Sequence, residues 1–182
     1  TINFDQYLTG TNLGTTTLAT LTAVQNGNNV DMTFTNTGIA GGSATFDTAL
    51  QLAYNGSTAG ISLVQTAGVA VSSFALGGGI GTFNPWDLVI NWATSNAQNG
   101  ANRLNVGEFS SFTLVGASLA NLFVNSGSTP FAMIHVQGLT GGGSTKYGGS
   151  VPPAPVPLPA AGILLLAAMG GLGIASRRRK AA

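Results

Sequence analysis

The stretch that decides the fold is TLATLTAVQNGNNVDMTF, residues 17–34. Small or apolar residues alternate with mainly polar ones on both sides of the segment NGNN, residues 26–29. The side chains that would share one face are Ala19, Leu21 and Ala23 before this segment and Val30, Met32 and Phe34 after it. Alternation of period two indicates strands, and Asn-Gly tolerates the positive φ of a tight turn. The stretch therefore predicts a β-hairpin.

Further strand-like runs, rich in β-branched and aromatic residues, follow at a spacing typical of all-β folds. They lie between clusters of Gly, Asn, Ser and Pro, at residues 43–54, 61–76, 87–93, 109–116 and 131–138. In the run at residues 87–93, Leu88, Ile90 and Trp92 share one face, which places Trp92 in the core. We therefore predict an antiparallel β-sandwich, jelly-roll-like, over residues 1–140.

Charge is scarce in this sequence. Charged residues make up 6% of the 182 residues, against roughly 25% in an average soluble protein. Four of the six cations lie together near the C-terminus, at Arg177, Arg178, Arg179 and Lys180. The chain before Pro155 carries a balance of −3. It lacks the basic stripe that nucleic-acid binders use, so nucleic acid is not an expected partner.

The composition changes at residue 141. Residues 141–155, GGGSTKYGGSVPPAP, predict a linker made of a flexible glycine segment and a stiffer proline segment. Residues 156–176 carry no charge, and a bilayer core needs about 20 apolar helical residues, so they predict one C-terminal transmembrane helix. The basic residues 177–180 are expected on the cytoplasmic side, which places the β-domain outside the cytoplasmic membrane.

Small residues recur every four positions in the predicted helix, at Ala167, Gly171 and Ala175. Such a face lets a neighbouring helix approach closely where lipid supplies no hydrophobic drive, which predicts a helix-packing surface. Small residues are equally typical of a substrate for an intramembrane enzyme, and the pattern alone does not separate these two interpretations.

Three elements occur in order at the C-terminal end: the motif Val156-Pro157-Leu158-Pro159-Ala160, the hydrophobic helix and the basic cluster. Residues 156–182 resemble the C-terminal sorting signals called PEP-CTERM, in the variant whose motif reads VPLPA. The opening hairpin and the stretch FAMIHVQGL, residues 131–139, are similar to β-rich proteins that often carry this signal. The resemblance implies a Gram-negative bacterium, export, recognition by an exosortase-like processing enzyme and cleavage near the motif. It implies no catalytic activity.

Few residues offer catalytic or metal-binding chemistry. The sequence has no cysteine and a single histidine, His135. His135 alternates with Phe131 and Met133 on a predicted strand, and this pattern favours a hydrogen-bonded structural residue over a catalytic base. The five acids are scattered singly, so we expect no metal site and no cofactor. We predict that the protein is not an enzyme.

One stretch has the character of a ligand site, FNPWD at residues 83–87. An aromatic ring beside amide and carboxylate groups can stack on a sugar and hydrogen-bond to it. Phe83, Asn84 and Trp86 are therefore candidate carbohydrate contacts. Aromatic residues around an Asn-Pro turn also pack over the edge of a sandwich, and burial of Trp86 would exclude the ligand interpretation.

These features predict a non-catalytic structural or scaffolding protein of the bacterial envelope. Thr1 begins on a strand-like run, as expected of a chain whose signal peptide has been removed. The β-domain is expected in the periplasm on an inner-membrane anchor, or at the cell surface after cleavage. One alternative is an accessory subunit of a larger membrane complex, docked through its helix. Another is a matrix or carbohydrate-binding module released by cleavage. Self-assembly through edge strands is also compatible with this surface.

Overall fold

The computed structural model describes residues 1–38, 45–78, 86–124 and 130–150. These residues form eleven strands with antiparallel pairing. The strands are β1 (Ile2–Gly10), β2 (Ala19–Asn26), β3 (Asn29–Asn36), β4 (Phe46–Leu52), β5 (Ser62–Gly68), β6 (Ser73–Leu76), β7 (Leu88–Asn91), β8 (Leu104–Asn105), β9 (Phe109–Val115), β10 (Ala132–Leu139) and β11 (Gly143–Ser150). Short 3₁₀ segments lie at Ala97–Gly100, Leu119–Asn121 and Thr140–Gly142.

The predicted hairpin is confirmed. Strands β2 and β3 pair along their whole length and leave Gly27 and Asn28 as a two-residue loop. Gly27 has a φ of 57°, and a positive φ at the first loop position is what a type II′ turn requires. The Gln25 side chain donates to Gly27 O at 2.8 Å and Asn29 O at 2.9 Å. The turn is thus held by a side chain from its own strand.

The strands form one continuous sheet. Its order is β5-β9-β3-β2-β1-β11-β10-β4-β7-β6, and β8 pairs with β4 beyond the end of β7. The prediction of an all-β antiparallel fold is confirmed. The hydrogen bonding, however, runs unbroken through all these strands, whereas the sandwich expected from the sequence has two separate sheets.

The sheet is curved, and a short connection joins its two edge strands. Strands β5 and β6 stand at opposite ends of the sheet order, yet only residues 69–72 separate them in the chain. Val69 N–H donates to Phe109 O and Ser72 N–H donates to Asn91 O, each at 2.8 Å. The connection is therefore bonded to both ends of the sheet. We call the region where the edge strands β5 and β6 come together, including the connection at residues 69–72, the seam.

Irregular pairing in β1 supports this curvature. The register between β1 and β11 shifts twice, between Phe4 and Gln6 and between Tyr7 and Thr9. An extra residue in one strand bends it and increases its twist. Strand β1 also pairs with β2 only over Ile2–Phe4. The sheet therefore bends most easily where its two halves meet.

The curved sheet encloses the main apolar core. Phe34 of β3 stacks on Trp92, which follows β7, with 5.0 Å between ring centroids. These residues come from distant strands of the sheet order, so their contact spans the interior. Trp92 is 2% exposed, which confirms its predicted place in the core. A second, smaller cluster comprises Ala53, Trp86, Val89 and Met133.

The predicted linker is wrong over residues 143–150. This segment is the strand β11, hydrogen-bonded between β1 and β10. Its Tyr147 is buried, accepts a hydrogen bond from Leu13 N–H at 2.7 Å and donates to Gly14 O at 3.0 Å. The first compact unit of the chain runs from Thr1 to Pro152, so the predicted domain boundary at residue 140 falls inside it.

The predicted sorting motif, transmembrane helix and basic cluster, residues 156–182, lie outside the described residues. Among residues 1–38, 45–78, 86–124 and 130–150, no helix is both long enough and apolar enough to cross a membrane.

Candidate functional site

The carbohydrate contact predicted at Trp86 is wrong. Trp86 is only 3% exposed and packs with Ala53, Val89 and Met133. A ring buried in this way presents no face on which a sugar can stack. The neighbouring Asp87 carboxylate is also engaged, because its Oδ2 accepts a hydrogen bond from Tyr54 N–H at 2.8 Å. Phe83 and Asn84 lie outside the described residues.

His135 is a hydrogen-bonded strand residue, as predicted. Its Nδ1 lies 3.0 Å from Thr48 Oγ1, and the same hydroxyl donates to His135 O at 3.0 Å. The Thr48 hydroxyl has one proton, which it donates to His135 O. His135 Nδ1 therefore fits as the donor in its own hydrogen bond with Thr48 Oγ1. Burial, with a smaller contribution from the charge of Lys146, lowers the pKa of His135. Within the part of the chain that the structure describes, no three His, Cys, Asp or Glu residues come together as a metal site.

A cavity of about 740 Å³ opens at the seam. Its lining comes from segments far apart in the sequence: residues 68–72, residues 107–109, and Ala93, Ala101 and Asn102. Most of these side chains are small or apolar. The volume falls within the range of roughly 300–1,000 Å³ that is typical of small-molecule sites.

One side of the cavity is held by Gln65. Its Nε2 donates to Ala67 O at 2.6 Å and Val69 O at 3.1 Å, while its Oε1 accepts from Val71 N–H at 3.0 Å. Ser110 Oγ adds a hydrogen bond to Val69 O at 2.7 Å. The backbone of the connection is therefore held in place by side chains of the domain itself.

The other side is held by Arg103. Its Nε and Nη2 donate to Thr94 O at 3.1 and 2.6 Å, and its guanidinium carbon lies 4.0 Å from the ring centroid of Phe46. The side chain thus joins the segment that contains Ala93 to the strand β4. Both sides of the cavity are thus held by contacts within the domain.

Replacing Gln65 with leucine is expected to lower the free energy of unfolding by about 2 kcal/mol, because several backbone groups lose their partners. The comparable Gln6→Leu change, at an exposed position of β1, is expected to change it by less than about 0.5 kcal/mol. Urea unfolding of the two variants measures the difference. Equal losses would show that the Gln65 hydrogen bonds do not stabilise the connection.

Three side chains give the cavity its chemical character. Phe109 is 44% exposed, and its ring lies against the backbone of Gly68. Glu108 Oε2 accepts from Asn105 N–H at 2.8 Å and Nδ2 at 3.1 Å, while its Oε1 accepts no hydrogen bond from the described residues. Asn102 is exposed and supplies an amide. An aromatic ring, a carboxylate oxygen and an amide therefore line one apolar cavity.

A second depression of about 470 Å³ lies on the outer face of β2, β3, β9 and β5. Its lining includes Val24, Met32 and Phe112 together with five threonine and serine residues: Thr22, Thr33, Thr66, Ser111 and Thr113. Asp31 also lines it and accepts from Thr113 at 2.6 Å and Asn26 at 2.8 Å. These hydrogen bonds, that of Thr113 first, lower the pKa of Asp31.

Strand β9 contributes residues to both depressions. Phe109 lines the cavity at the seam, while Ser111 and Thr113 line the second depression. Because alternate residues of a strand point to the same face, these three side chains form one row. The row is about 13 Å long at the usual rise per residue.

An unpaired carboxyl group lies inside the main core. Asp47 is directly opposite Val136 of β10 and Leu104 of β8, and both of these belong to the core. Opposite residues of an antiparallel pair share one face, so the Asp47 side chain points inward. It is fully buried, and neither carboxylate oxygen has a hydrogen-bond partner among the described residues. Burial raises the pKa of Asp47 well above its ordinary value of 3.8.

No protein-family model, curated protein or solved structure matches this chain.

The sequence did not point to Asn102, Glu108 and Phe109 as a group. The one available signal was an aromatic residue at the start of a predicted strand, next to an acid. The cavity itself depends on the curvature of the sheet, which brings residues 69–72 and Ala93 beside β9. Strand patterns carry no information about such long-range curvature.

Proposed function

We propose that this protein is a non-catalytic structural or scaffolding protein of the bacterial envelope, delivered by an exosortase-type C-terminal sorting signal. The motif at residues 156–160, followed by an uncharged stretch and the basic residues 177–180, carries this proposal. In the proposed arrangement, residues 156–176 cross the inner membrane and the β-domain lies on the periplasmic side.

The position of the domain boundary supports removal of the tail. The first compact unit ends at Pro152, and three residues separate it from the motif, which begins at Val156. Cleavage near the motif would leave every strand of the sheet intact, including β11. The released product would then be a complete β-domain at the cell surface or in an extracellular matrix.

The intact mass of the protein in membrane and secreted fractions tests this proposal. We expect the full-length chain in the membrane fraction and a chain truncated near Val156 outside the cell. Replacing Pro157 and Pro159 with alanine is expected to abolish the truncated form, because the motif is the element recognised. The same change at Pro152 and Pro153, outside the motif, serves as the matched control and should leave processing unchanged.

A different result would favour the accessory-subunit alternative. In that case only the full-length chain would be found, in detergent-solubilised membranes and co-migrating with other subunits. The small-residue face formed by Ala167, Gly171 and Ala175 would then be the docking surface. Substitution of Gly171 with leucine would release the chain from such a complex.

A further inference from the structure

The cavity at the seam and the second depression both lie along β9, and we refer to their linings together as one surface. Phe109 borders the first, and Ser111 and Thr113 border the second. On β5, Gly68 lines the cavity and Thr66 lines the depression. The two depressions are therefore neighbours on the same two strands.

The lining of this surface matches the chemistry of a sugar chain. Sugar rings combine weakly apolar faces with many hydroxyl groups, so they need apolar contact and hydrogen bonds at the same time. Phe109, Val69 and Val71 supply the apolar contact, and the Oε1 of Glu108 supplies an acceptor that no described residue uses. In the second depression Thr113 donates its proton to Asp31, and Thr33 and Ser111 share a hydrogen bond of 2.9 Å, so these hydroxyls offer mainly acceptors. Thr22 and Thr66 can both donate and accept.

The charges of the surface select among sugar chains. Asp31 and Glu108 both line it, and no Lys or Arg is present among the described lining residues. Arg103, whose Cδ approaches Gly100 near the cavity, already donates to Thr94 O and lies over Phe46. An acidic polysaccharide would meet the like charges of Asp31 and Glu108, and the described lining offers no Lys or Arg to compensate them, so a neutral chain is favoured.

The geometry points to a neutral polysaccharide chain bound along β9, with one sugar ring on Phe109 and the following rings over Ser111 and Thr113. Glu108 Oε1 and the Asn102 amide hydrogen-bond the ring that lies on Phe109. The row of about 13 Å exceeds the length of a single sugar ring, so the ligand is a chain of sugars and not a monosaccharide. The inference rests on the proposed function only in that export would bring the β-domain to the cell surface, where it could meet a polysaccharide.

Isothermal titration of the full-length protein in detergent micelles tests this site. The probes are cellohexaose and N-acetylchitohexaose as neutral chains and hexagalacturonate as an acidic chain. We expect at least one neutral chain to bind and the acidic chain to bind at least tenfold more weakly. Phe109→Ala is expected to weaken binding by about tenfold, because the stacking surface is removed.

Two further variants make the result specific. Glu108→Gln keeps an oxygen that can accept from Asn105 N–H, so the fold is retained while the charged acceptor for the sugar is lost, and binding should weaken several-fold. Tyr7 is the other exposed large aromatic side chain among the described residues, at 41% against 44% for Phe109. Tyr7→Ala should leave binding unchanged.

The proposal is overturned if neither neutral chain binds at millimolar concentration, or if the acidic chain binds as tightly as the neutral ones. It is also overturned if Tyr7→Ala weakens binding as much as Phe109→Ala does. Circular dichroism of each variant separates lost binding from lost folding. These outcomes are independent of tail processing, so failure here and failure of the proposed sorting route are distinguishable.

Discussion

Replacing Asp47 with asparagine is expected to remove a loss of stability that the wild-type protein shows as the pH rises above 3.8, the ordinary pKa of this carboxyl group. The reason is the position of the group. Its carboxyl group is fully buried between Val136 and Leu104, and neither oxygen has a hydrogen-bond partner in the part of the chain that the structure describes. Asparagine has nearly the same shape and does not ionise.

The direction of the effect follows from proton binding. Burial raises the pKa of Asp47 in the folded state, while the unfolded chain releases the proton near 3.8. Between these two values the folded state holds a proton that the unfolded state has lost. The contribution of Asp47 is therefore fully present below 3.8 and is lost as the pH rises toward the folded-state pKa. The loss is about 1.4 kcal/mol per pH unit in this window.

Urea unfolding of the full-length protein at a series of pH values measures this effect. The difference between Asp47→Asn and wild type is the informative quantity, because other titrating groups are common to both proteins. Asp31 and His135 have lowered pKa values, so each contributes stability that increases with pH. A difference that stays constant from pH 4 to 8 would contradict the burial of an unpaired carboxyl group.

Replacing Gly68 with alanine is expected to lower the free energy of unfolding by about 3 kcal/mol, the sum of backbone strain and overpacking. Gly68 ends β5 with a φ of 72°, a backbone conformation that residues other than glycine rarely adopt. A methyl group there would also collide with Phe109 O. The change should therefore disturb the pairing of β5 with β9 as well as the seam.

Gly60 provides the matched control. It precedes β5 with a φ of 85°, and a methyl group there would have no heavy atom within 4 Å. Gly60→Ala should therefore cost only the backbone strain, about 1–2 kcal/mol. Thermal or urea unfolding compares the two variants. If both lose the same stability, the close packing of Phe109 against Gly68 does not contribute.

Local features of the sequence were sufficient to predict the β2–β3 hairpin and the side chains of β7 that face the core. Gly27 supplies the positive φ of the turn, and the residues on either side of it alternate with the period of a strand. Leu88, Ile90 and Trp92 are all buried in the main core, as their alternation predicts. Such features depend on a few neighbouring residues, so a pattern can reveal them.

Strand β11 could not be recognised in this way, because its glycines resemble those of a linker. In the sheet, Gly148 and Gly149 are buried. A methyl group at Gly149 would lie 2.7 Å from Ile2 Cγ2, and one at Gly148 would lie 3.2 Å from Pro130 Cβ. These glycines are therefore required by close packing, and composition cannot distinguish that role from flexibility.

The run at residues 61–76 illustrates a second limit. Its β-rich composition predicts one strand, but the positive φ of Gly68 ends β5 and the chain begins β6 at the other edge of the sheet. The direction that a chain takes after such a residue depends on tertiary packing. The seam and its cavity, which follow from this separation, were therefore not predictable from the pattern.

The pairing of the first strand with the last has a consequence for the order of events during synthesis. Asn3 lies opposite Ser150, and β1 pairs with β2 only over Ile2–Phe4. Most of β1 must therefore wait for β11, the last of the described strands to emerge from a ribosome or a secretion channel. Contacts between such distant segments form slowly. For the exported protein proposed here, the domain would become complete only when the following hydrophobic tail is already at the membrane.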